Sequence, residues 1–80
     1  MRLDKYLKVT RLIKRRTVAN EACDLGRVSV NGKPARASYD VKVGDIIEIN
    51  MGKAPLKARV LSVSEYATKE TAGTHYEIIS

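Results

Sequence analysis

The sequence predicts an α+β domain in which two or three short N-terminal helices pack on a small, curved, mostly antiparallel sheet of about five strands. Three observations lead there. The apolar period changes from about 3.6 residues in the first third of the chain to 2 beyond it. The dipeptide Asn31-Gly32 separates two short strand-like runs, the strongest short-range hairpin signal a sequence offers. With 80 residues and no internal repeat, the chain can form one small domain that buries roughly 60–65% of its unfolded surface, which leaves little room for a deep active-site cavity.

The elements follow in chain order. Leu3, Tyr6, Leu7 and Thr10 fall on one side of a helical wheel and Lys5 and Lys8 on the other, giving an amphipathic helix over residues 2–10 with Arg2 at its margin. A second helix over residues 16–25 gathers Val18, Ala19, Ala22, Cys23 and Leu25 on one arc, with Thr17, Asn20, Glu21 and Asp24 opposite, and Gly26 is its natural left-handed terminator. Arg27 to Val30 alternates like a strand, Asn31-Gly32 turns it, and Lys33-Pro34-Ala35 returns. Pro34 must then lie on a sheet edge, where its missing N–H does no harm. Val43-Gly44-Asp45 makes another turn before a strand carrying Ile46, Ile47 and Ile49, and residues 57–64 and 75–79 read as two more strands. The polar stretch Ala67 to Thr74 between them reads as a mobile loop.

Fifteen Lys and Arg against nine Asp and Glu give a net charge of +6 and a pI near 9.7, a balance that suits a phosphate-bearing partner. The charge is concentrated: residues 1–36 hold ten cations and three anions, whereas residues 37–80 hold five and six. The chemistry-bearing residues are few. Cys23 lies on the apolar arc and reads as a small core hydrophobe, alone and so without an internal disulfide, as in a reducing compartment. His75, at a strand start, reads as a surface or satisfied residue. Neither a nucleophile with its base, nor a metal-ligand spacing, nor a phosphate-cradling glycine loop is present in the sequence, so an enzyme is not expected. No apolar run approaches the roughly 20 residues of a membrane span, and a cytosolic protein without a membrane partner is expected.

Arg11, Lys14, Arg15 and Arg16 crowd the link between the helices and the head of the second one. Cations at a helix N-terminus oppose its positive partial charge, an arrangement that makes sense if an anion binds there between guanidinium groups and free N–H groups. Without Phe or Trp, and with no paired-aromatic strand motif among its tyrosines, the chain fits structured RNA or a duplex backbone better than splayed single strands. A DNA-reading helix-turn-helix fits less well, because Glu21 and Asp24 on the outward face of the second helix would oppose phosphates.

Arg2-Leu3-Asp4-Lys5-Tyr6-Leu7, then Arg16, Ala19, Gly26, Val28, Val30, Asn31-Gly32 and Val43-Gly44-Asp45, resemble in order and spacing the RNA-binding domain named after ribosomal small-subunit protein four, also called the αL domain. The resemblance covers residues 2 to about 50; with C-terminal strands at about 57–79 it makes residues 1–80 a single RNA-binding domain. Among compact members the chain resembles the fifteen-kilodalton bacterial heat-shock ribosome factor and, more closely, its Gram-positive RqcP group. That implies an αL RNA-binding fold and a ribosome-associated quality control factor, without a cofactor or metal. Such factors bind the large ribosomal subunit that still carries peptidyl-tRNA, touching 23S rRNA and tRNA, and work with an RqcH-type tailing factor that adds alanine without a template. Carried over to this sequence, the RNA-facing residues are Arg2, Lys5, Arg11, Arg15, Arg16 and Lys33, joined by Lys14 from the basic link, while Asp4 orients a nearby arginine. Arg15 stands where many relatives have Ser or Thr, which removes the expected helix cap and leaves Thr17 or an RNA phosphate to satisfy those amides. A ribosome-associated monomer in the cytoplasm is expected, the alternative being a constitutive ribosomal protein or an assembly factor that binds rRNA.

Overall fold

The structure is a computed structural model that describes residues 1–50, 52, 55–63 and 75–79. These form helices α1 (Leu3–Val9) and α2 (Arg16–Asp24), then strands β1 (Val28–Val30), β2 (Lys33–Pro34), β3 (Ile46–Ile49), β4 (Leu56–Val60) and β5 (Tyr76–Ile78). The sheet runs β2-β1-β3-β4-β5, and every neighbouring pair is antiparallel. The fold is thus the expected α+β αL arrangement, with two helices among the described residues. The stretch from Ala67 to Thr74, expected to be a mobile loop, lies outside those residues.

Register follows from alternation. Val28 stands opposite Ile49, Val30 opposite Ile47, and Ile47 opposite Ala58, so all these side chains share the buried face. Ser29, Glu48 and Lys57 align across the same three strands on the other face. Leu3, Tyr6 and Leu7 of α1 and Ala19, Ala22 and Cys23 of α2 complete the core. The small residues of α2 let it approach α1 and the sheet closely. Pro34 lies on the edge strand β2, as its chemistry requires.

Both helices are followed, one residue past the C-cap, by a residue in left-handed conformation, Arg11 and Gly26. Beyond α2, Gly26 has φ +72°; its N–H reaches Cys23 O at 3.0 Å, and the Arg27 N–H reaches Ala22 O at 2.9 Å. This is the paired-bond glycine stop expected from the sequence. The same stop corrects the expectation for Leu25. As the C-cap it leaves the helical wheel, and it is 68% exposed rather than part of the buried arc. His75 differs as well. It is buried at 6% exposure, because its backbone oxygen anchors the core: it accepts the Tyr6 hydroxyl at 2.7 Å and the N–H groups of Leu61 and Ser62. Among the described residues its Nδ1 has no hydrogen-bond partner.

Candidate nucleic-acid interface

The N-terminal segment is docked before α1 begins. The Met1 ammonium pairs with Asp40 at 2.8 Å, and the Val41 N–H donates to Met1 O at 2.9 Å. Leu3 and Asp4, in the first turn of α1, donate their N–H groups to the carbonyls of Tyr39 and Ala37 at 2.8 and 3.2 Å. The loop over residues 37–39 thereby satisfies amides that a capping side chain would otherwise take, and it fixes Arg2 and Asp4 against the body of the domain.

Asp4 is the centre of the site. Only 2% exposed, its carboxylate accepts from Arg2 Nε at 3.3 Å, Arg16 Nε at 3.3 Å, Asn20 Nδ2 at 3.3 Å and its neighbour's backbone, Lys5 N–H, at 2.8 Å. Burial, the largest influence, pushes its pKa up. The hydrogen bonds from Asn20, Arg16 and Lys5, with the charge of Arg16, outweigh it and hold the pKa below the ordinary aspartate value. The two arginine side chains remain about half exposed, at 52% and 46%. Asp4 thus grips Arg16 through Nε alone and Arg2 through Nε and, at 3.5 Å, one terminal amine, Nη2, leaving the outer side of each guanidinium at the surface. A guanidinium fixed in this way presents a planar fork suited to bidentate phosphate contact.

The other predicted residues lie around this centre to different degrees. Arg15 precedes α2 in extended conformation and supplies no capping hydrogen bond, and the first turn of α2 holds no acid. Thr17 sits inside the helix rather than ahead of it, so this helix head keeps its positive character beside Arg16. Lys14 and Arg15 are exposed in the link, and Lys5 is partly buried on α1. Arg11 is exposed one residue beyond the C-cap of α1, in left-handed conformation with φ +61°. Lys33 stands apart on β2, where it lines a cleft with Asn31, Arg36 and Tyr39. Helical periodicity places Asn20 only on an outward face, and the sequence pattern assigns Arg36 no role. The signal for Asn20 is its position one helical turn after Arg16, which lets both reach the same carboxylate. Cys23 is buried as expected; burial first, and then the nearby charges of Asp4 and Asp24, push its thiol up to about 11.

Among the described residues no three His, Cys, Asp or Glu gather as a metal site would require, and no helix is long and apolar enough to cross a membrane. The fold and this arginine-bearing surface define a small RNA-binding domain of the S4 class, and residues 1–47 match the S4 domain family. The comparison with whole proteins is narrower. The chain is 55% identical over 80 residues to the RQC P-site tRNA stabilizing factor of Streptococcus pneumoniae, covering 100% of this chain and 91% of that one. It is 50% identical over 78 residues to the protein of the same name from Halalkalibacterium halodurans, covering 98% and 89%. The chain belongs to the family of RQC P-site tRNA stabilizing factors. The structure of heat shock protein 15 from Vibrio cholerae, described as trimeric, matches with a TM-score of 0.92 at 27% identity, over 100% of this chain and 82% of that one.

Proposed function

We propose that this chain binds the large ribosomal subunit and steadies an obstructed peptidyl-tRNA in the P site, touching both 23S rRNA and tRNA. In that position it supports template-free alanine addition by an RqcH-type tailing factor. The family name supports the tRNA and the quality-control setting, and the observation that carries the RNA reading is the pair of arginines held on buried Asp4. The part is that of a binding factor rather than an enzyme: phosphate contacts position RNA without any bond being made. Because Arg2 and Arg16 are oriented before RNA arrives, less side-chain freedom is lost on binding. RNA phosphate then adds to the outer edge of each guanidinium while Asp4 keeps the inner edge.

Arg16→Lys tests this directly. The substitution keeps the net charge but removes the fork, since an ammonium is a point donor that serves either Asp4 or a phosphate. It is expected to weaken cosedimentation with large subunits carrying P-site tRNA by roughly 1–3 kcal/mol, the range for hydrogen bonds to charged groups, with little change in thermal melting. Binding equal to the parent would show that Arg16 is one diffuse charge among many.

A further inference from the structure

Two clefts flank the segment Arg36 to Ser38. One lies toward α2 and is lined by Arg2, Asn20 and Asp24; the other lies toward the β1–β2 hairpin and is lined by Asn31 and Lys33. Arg36 and Ser38 line both, so this segment is the ridge between them. The ridge is fixed rather than loose. The Tyr39 N–H closes a turn on Arg36 O at 3.0 Å, and Ala37 O receives the N–H of Asp4, the residue whose carboxylate holds Arg2 and Arg16. Arg36 is itself exposed and, among the described residues, has no ion-pair partner.

We propose that Arg36 is a further RNA-contacting residue, which carries one RNA strand from the Asp4-held arginines over the ridge to Lys33 on the hairpin. The inference rests on the RNA reading above and adds the path of the strand. Its basis is geometric: Lys33 would otherwise be an isolated cation across the ridge, whereas with Arg36 between them the two clefts form one track with a cation at each stage. Asp24 is the acid on the α2 side of that track; Arg2 and Arg36 in the same cleft outnumber it.

The test is a salt titration of binding to large ribosomal subunits carrying P-site tRNA, for the full chain and the variants Arg36→Gln, Arg36→Lys, Arg16→Lys and Arg59→Gln. A residue that neutralises one phosphate changes the slope of log affinity against log salt by about 0.7–0.9 when its charge is removed. Arg36→Gln is expected to lower that slope by this amount and to weaken binding about tenfold. Arg36→Lys is expected to keep the parent slope. Arg59 on β4, paired with Glu77 on β5, lies away from the hairpin across the sheet, and Arg59→Gln is expected to change neither quantity. Parent-like affinity and slope in Arg36→Gln, with binding weakened in Arg16→Lys, would overturn the path and leave the function standing. If both variants bind like the parent, the path fails and Arg16 too is one diffuse charge among many; if the parent chain itself does not bind these subunits, the function reading fails. Should Arg36→Gln melt early, Arg36→Lys decides, because loss of the parent slope with the charge retained also overturns the proposal.

Discussion

Arg11 holds at the end of α1 the place that Gly26 holds at the end of α2, one residue past the C-cap and in left-handed conformation. Glycine adopts that conformation freely, whereas for arginine it costs about 1–2 kcal/mol. A glycine would in turn lose more chain entropy on folding, by about 0.5–1 kcal/mol. The first quantity is larger, so Arg11→Gly is expected to raise the melting temperature slightly while weakening RNA binding, and a lower melting temperature would refute the strain. The carboxylates give a second test at this scale. For Asp45, burial is the largest influence and raises the pKa, but the Lys42 N–H, Asn31 and Tyr39 outweigh it, and both Asp45 and Asp4 lie below their ordinary value of 3.8. The folded chain therefore holds fewer protons than the unfolded one on the acid side. The stability these groups contribute is fully present above about pH 4 and is lost as pH falls through the lowered folded values. Melting curves between about pH 5 and pH 3 are expected to show the loss, and Asp4→Asn is expected to start lower and fall less steeply. A parallel fall in both proteins would show that Asp4 is not responsible.

The hairpin is legible in the sequence because its information is local. Asn31 and Gly32 have φ +53° and +84°, as a two-residue turn of this hand demands. What the sequence does not reveal is that Asn31 also ties the turn to β3. Its Oδ1 accepts the Ile46 N–H at 3.0 Å, its Nδ2 donates to Asp45 at 3.1 Å, and its own N–H donates to Ile46 O at 2.8 Å. Val43-Gly44-Asp45, expected only to turn the chain, thus also supplies an acceptor for the hairpin. At Gly32 a Cβ would meet open space, so the only objection to a side chain there is the backbone angle. Gly32→Val is accordingly expected to lower stability by about 1–3 kcal/mol, or about 4–8 °C of melting temperature for each kcal/mol, and an unchanged melt would contradict the turn. Leu25 departs from its expected place for a reason of the opposite kind. A helical wheel assumes that the helix continues, and the stop at Gly26 takes Leu25 off the buried arc.

Over the whole molecule, the concentration of cations in the first 36 residues is plain from the sequence, but their organisation is not. The contacts of Asp4 with Arg16 and Asn20 span 12 and 16 residues and depend on α2 folding back beside α1. Its burial depends in addition on the 37–39 loop. No periodicity in one helix carries such information. The burial of His75 escapes the sequence pattern for the same reason, since its surroundings come from Tyr6, 69 residues away. For the assembled surface, neutralising about six phosphates implies a loss of affinity on the order of a thousandfold between about 50 and 200 mM salt. A nearly flat response of large-subunit binding to salt would count against the whole basic surface.

Cys23 offers a way to follow this domain without any added probe. It is the only thiol in the chain, it is buried at 5% exposure in α2, and its high pKa keeps it as the unreactive thiol. An alkylating reagent at neutral pH can therefore modify it only during openings that part α2 from the core. The modification rate becomes a clock for those openings, read by mass at a single position. A ligand that binds only the closed form slows that clock by the factor one plus its concentration over its Kd. Because Cys23 also borders the cleft in which Arg36 is proposed to meet RNA, RNA bound there is expected to slow the same reaction.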